Sequence, residues 1–171
     1  MSKRDLKKYL SELDKKQLEE QILELYDKFI PVRTYYNFVF NPKEDLLAQE
    51  CKLKISNEYF PIAAKKAKAR RSIAQKYIKH FITLGVDPFV ISDIMLYSIE
   101  IAQTFAGDKI IKQESFYKSM LHSFEQVIRY MIENGILYEF HKRVMAINNE
   151  TLSQNWINYS EFNAIVARLD Y

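Results

Sequence analysis

Two carboxylates, Asp93 and Glu100, stand seven residues apart in the stretch GVDPFVISDIMLYSIEIAQTF, residues 85–105. At helical spacing they share one face, and a carboxylate pair on a buried helix could in principle perform acid–base work. The favoured reading is plainer: a buried charge needs a partner, and the expected one is Arg70, with Arg71 or another cation as substitutes. The remaining chemistry-bearing residues are sparse. His80, His122 and His141 show no four-residue spacing and no Glu-x-x-His pattern of the di-iron kind. His122 and Glu125 form an i,i+3 pair that reads as a surface contact rather than a metal site. Cys51 has no histidine near it in sequence and reads as an inert, half-buried thiol. The three glycines stand alone at 85, 107 and 135, so there is no loop to cradle a phosphate. No catalytic, cofactor-binding or metal-binding residue is therefore assigned, and the reading leans away from an enzyme.

Charge is more informative than catalysis. From Tyr59 to Val86 there is no acidic residue, while Lys65, Lys66, Lys68, Arg70, Arg71, Lys76 and Lys79 give a local charge of +7. The whole chain carries +3, so the remainder is −4. On a regular helix over 62–84, Lys65, Lys68, Lys76 and Lys79 fall within roughly an 80° sector. Such a stripe could face phosphates, with a steep salt dependence. A solvated face balanced by acidic helices is the favoured alternative, because no helix-turn-helix, zinc-finger or RNA-binding signature accompanies the charge.

The elements that position these groups are all predicted to be helices. Residues 88–106 form the hub: Asp87 caps it, Pro88 opens it, and apolar side chains cover most of its circumference. Its two acids and its short apolar runs argue against a membrane span. The basic helix, 62–84, should pair with the hub as an antiparallel hairpin across Gly85 and Val86. Before it, residues 2–30 hold two helices, opened by Ser2 with Asp5 and by Asp14 with Gln17. Residues 31–60 hold an aromatic segment and a third helix. Within that segment VRTYYNFVF, 32–40, permits a strand by composition. With no partner strand in sight, a short helix opened by Pro31 is preferred. After Gly107, residues 113–171 supply helices over 114–134, 136–148 and 153–169, the last divisible at Ser160. Gly135 is placed just past a helix end.

A chain of 171 residues with 48% apolar content can bury a real core in one domain. Three glycines and four prolines argue against a turn-rich β architecture. The fold class expected is thus all-α: one domain, 1–171, of about seven to eight helices, arranged as a bundle or a short irregular α–α superhelix. A single cysteine and a charged start without an apolar run suggest a cytoplasmic setting. The glycosylation patterns at Asn149 and Asn158 are read as chance matches.

Several stretches together resemble a known family. They are YYNFVFNPK (35–43), KARRS (68–72), LGVDP (84–88), and Gly107-Asp108 ahead of FYKSM (116–120). They are similar to a family of small bacterial proteins described only as a domain of unknown function. That resemblance implies a helical, cytoplasmic protein and carries over no activity, ligand or site residue. The leading functional expectation is a non-enzymatic interaction or scaffold protein, its partner another protein or a second copy of itself. The alternative is a nucleic-acid-binding module working through 65–79. A weaker one is a small-molecule pocket lined by the aromatics of 26–40 and the hub carboxylates. No cofactor and no membrane partner is expected.

Overall fold

The computed structural model describes residues 2–62, 66–107 and 111–169. Nine helices and no strand occur among them: α1 Lys3–Ser11, α2 Lys15–Lys28, α3 Ile30–Phe40, α4 Glu44–Tyr59, α5 Arg71–Leu84, α6 Pro88–Gly107, α7 Glu114–Glu133, α8 Leu137–Ser153 and α9 Tyr159–Val166. The all-α expectation holds, with one or two helices more than anticipated. The chain divides into two compact units, residues 1–43 and 44–171.

In the first unit the starts of α1 and α2 are fixed by reciprocal capping. Ser2 Oγ accepts from the Asp5 amide while Asp5 accepts from the Ser2 amide, and Asp14 and Gln17 repeat the arrangement. Two free amides at each start are satisfied this way, which lets short polar segments begin cleanly. α3 settles the ambiguous segment as a helix. Pro31 sits in its first turn, where no hydrogen bond is lost, and an aromatic row builds along one side. Tyr36 stacks on Phe40 at 6.1 Å and meets Tyr35 edge-on at 5.5 Å. The Tyr26 hydroxyl donates to Asn37 Oδ1 at 3.0 Å, tying α2 to α3. None of the residues in α1, α2 or α3 is buried.

The second unit is built on α6. This helix is long and apolar enough to cross a membrane by length and composition, yet most of it is buried within the protein. α4, α5, α7 and α8 all pack on it. Ile94, Leu96, Ile99 and Ala102 are fully enclosed, and the polar Ser92 and Gln103 are buried with them. Gln103 donates to the Ile147 carbonyl at 2.8 Å, so its amide is not wasted in the core. The start is as expected, with the Phe89 amide donating to Asp87 Oδ1 at 2.7 Å. A second cluster closes the far side: Phe124 and Phe162 lie 5.0 Å apart, and Trp156 meets Phe162 edge-on at 5.8 Å.

Two helix boundaries differ from expectation. The basic helix begins at Arg71, not 62. Residues 66–70 fold back on the end of α4, where the Lys68 and Ala69 amides both donate to the Glu58 carbonyl at 3.0 and 2.9 Å. A helix through this segment would set like charges three and four residues apart, which is unfavourable. The fold-back instead gives Arg70 a carboxylate. The other difference is that α8 runs on to Ser153, while the final helix starts at Tyr159, beside the division offered at Ser160. Asn155 ends α8 in the left-handed conformation, φ +52°. The Trp156 amide donates to the Thr151 carbonyl and the Asn155 amide to that of Leu152, the paired bonds of a Schellman motif. Gly85 and Gly135 close α5 and α7 in the same way.

Candidate functional site

Asp93 and Glu100 do lie on one face of α6, but their partner is not Arg70. Arg143, from α8, donates from Nη1 to Asp93 Oδ1 at 2.7 Å. It also grips Glu100 with both arms, Nε to Oε1 at 2.9 Å and Nη2 to Oε2 at 2.8 Å. Lys52, from α4, takes the other Asp93 oxygen at 2.5 Å and lies 5.3 Å from the centre of the Tyr97 ring. All four side chains are about one-third exposed, between 32% and 35%. Burial pushes the Asp93 carboxyl up, but the hydrogen bonds from Lys52 and Arg143 outweigh it and hold the group below the usual carboxylate range. With every oxygen of the pair engaged, neither acid is placed to accept a substrate proton. The cluster is a clamp joining α4, α6 and α8. Sequence reading overlooked Arg143, although it lies three residues after Phe140 and four before Ile147, on the core-facing stripe of its helix.

Arg70 is bound elsewhere. Its Nε and Nη2 donate to the two oxygens of Glu58 at 2.8 and 2.9 Å, across the fold-back. Arg71 turns into the protein, reaching Ser123 Oγ at 2.6 Å and Gln126 Oε1 at 2.9 Å on α7. The proposed stripe is therefore not one helix face. Lys76 and Lys79 are exposed on α5, Lys68 sits in the fold-back, and Lys65 lies outside the described residues. Cys51 is fully enclosed rather than half-buried, and burial pushes its thiol up to about 12, which fits the expected inertness. His122 and Glu125 meet at 3.6 Å on the exposed side of α7. Among the described residues there is no group of three or more metal-ligating side chains.

Two concave features are lined by described residues and bear on function. One is a groove of about 340 Å³ in the first unit, lined by Ile22, Leu23, Tyr26, Tyr36, Asn37 and Phe40. It is almost wholly apolar, and only aromatic and aliphatic chemistry could fill it. The other is a cavity of about 150 Å³ beside the fold-back, lined by Asn57, Glu58, Pro61, Lys66, Lys68 and Arg70.

These features define a helical protein with an exposed apolar hairpin, a cationic cavity and carboxylates closed off by salt bridges. The chain belongs to DUF6155, a family of unknown function whose model matches residues 1–170. No curated protein and no solved structure matches it.

Proposed function

We propose that the protein is a non-enzymatic interaction module whose docking element is the α2–α3 hairpin, and that its partner is a second copy of the chain. The observation that supports this is α3 itself: eleven residues with Arg33 as the single charge, and none buried. Leu23, Phe29, Ile30 and Phe40 are 63%, 51%, 75% and 80% exposed. Covering each is worth up to roughly 1.5–3 kcal/mol, so four on each of two copies give up to about 12–24 kcal/mol before the costs of association. Those costs are estimated at about 4–15 kcal/mol, so micromolar pairing is within reach.

A second copy is the occupant the hairpin's chemistry favours. Two such hairpins make a four-helix bundle, the smallest arrangement that buries both apolar faces, and an isologous contact needs no further partner. Four of the seven charges of α2 are paired within the helix, Lys15 with Glu19 and Lys28 with Glu24, so a partner need not supply a strongly charged face. The enclosed Cys51 thiol is consistent with work in a reducing, cytoplasmic setting.

Sedimentation velocity on the full chain between about 1 and 100 µM tests the reading. The expected result is a concentration-dependent dimer that Leu23→Glu/Phe40→Glu converts to monomer while the cooperative melt of residues 44–171 is kept. A wild-type chain that stays monomeric across the range would overturn it.

A further inference from the structure

The cavity beside the fold-back has the makings of a small-anion site. Its walls bring three cations, Lys66, Lys68 and Arg70, against one carboxylate, Glu58. That carboxylate is not free to repel an anion, because Arg70 covers both its oxygens at 2.8 and 2.9 Å. Neither lysine ammonium lies within ion-pair distance of another described residue, although Lys68 is near enough to Glu58 to help hold that carboxyl below its ordinary value, and both side chains are exposed. Asn57 also lines the cavity.

Residues 68–70 are also tied to the end of α4. The Glu58 carbonyl takes two amides and its carboxylate takes the guanidinium, so one residue anchors the fold-back twice. Ala69 sits at φ +47°, a left-handed conformation that an alanine adopts only under constraint. Strain of this kind persists where surrounding bonds over-determine the backbone, and it gathers at binding sites. The volume of about 150 Å³ is several times what a water needs, yet below the 300–1,000 Å³ of drug-sized pockets. A tetrahedral oxyanion fits with room to spare, and it is the two exposed lysines, not the volume, that select an anion over a neutral base or sugar.

We propose that this cavity binds a single phosphate group of a phosphorylated ligand, with Lys66 and Lys68 contacting the phosphate oxygens and Glu58 and Arg70 positioning the loop. The body of the ligand then lies outside the cavity. Two sources share this chemistry, a phosphorylated small molecule and the terminal phosphate of a nucleic acid.

The test is an amide-resolved NMR titration of the full chain with inorganic phosphate, phenyl phosphate, and a dinucleotide with and without a 5′-phosphate. Sodium chloride at matched ionic strength is the screening control. Saturable shifts confined to residues 57–58 and 66–71, with a roughly millimolar Kd, are expected. Lys66→Gln/Lys68→Gln should weaken them at least about tenfold, while Lys76→Gln/Lys79→Gln leaves them within about twofold, each variant melting like the wild type. If the 5′-phosphorylated dinucleotide binds at least about tenfold more tightly than phenyl phosphate, the source is a nucleic-acid end; comparable affinities indicate a small molecule. Shifts that never saturate, or that chloride reproduces, would overturn the proposal. So would equal effects of the two lysine pairs. Because no residue of the hairpin takes part, this result is independent of the oligomeric state.

Discussion

At the scale of the residue, Arg143 bears most of the electrostatic organisation. One guanidinium satisfies two carboxylates on α6, and its planar fork explains why lysine would be a poor substitute there. Removing it leaves Glu100 without its partner and Asp93 with Lys52 alone. Because the Asp93 carboxyl is held below its ordinary value, its contribution is complete above the unfolded pKa near 3.9. It is lost as the pH falls through the folded value. Arg143→Met should therefore cost about 1–2 kcal/mol at pH 7, modest because the groups are a third exposed. The difference from wild type should shrink as the pH drops below about 4. Urea unfolding at pH 7, 4.5 and 3 measures this; a deficit constant with pH would mean the clamp acts by packing and not by charge.

At the scale of the element, helix ends decide the layout of the second unit. Three helices close on left-handed residues, Gly85, Gly135 and Asn155, each with paired return hydrogen bonds. Gly85 turns the chain from α5 into α6 and so positions the hub. A Cβ there would meet nothing within 4 Å, so an alanine would suffer only backbone strain. Gly85→Ala should lower stability by about 1–2 kcal/mol and Tm by several degrees, read by thermal melting. An unchanged Tm would show that the turn relaxes into another conformation. The same mechanism accounts for the length of α8: asparagine, which tolerates the left-handed region, stops the helix at a point where no glycine marks it.

At the scale of the whole molecule, the buried apolar side chains are unevenly shared. Among the described residues, all of them lie between Cys51 and Val166, and the first unit contributes none. A 43-residue unit without a core is near the size below which chains rarely fold alone. Residues 44–171 expressed by themselves should melt cooperatively within a few degrees of the full chain, whereas a 1–43 peptide should show little helical signal in isolation. Calorimetry and circular dichroism separate the outcomes. An unfolded 44–171 fragment would show that the first unit supplies stability the burial pattern does not reveal.

The sequence by itself determined what local physics controls. Helix starts at Ser2, Asp14 and Asp87, the closing glycines 85 and 135, and the helical state of 30–40 after Pro31 depend on a few neighbouring residues, and all were readable from them. The buried character of α6 was readable too, because an all-round apolar surface has few other stable fates. Only the tertiary structure decided which cation met which carboxylate. Arg143 reaches residues 43 and 50 positions away, while Arg70 finds Glu58 twelve positions back, and nothing in local spacing ranks those choices. The start of α5 depended on the same non-local term. A cationic run with good helical propensity gave up a turn and a half of helix to lie against the end of α4. The sequence likewise could not say that the aromatics of α3 would remain exposed, since periodicity predicts an apolar face but not whether anything covers it.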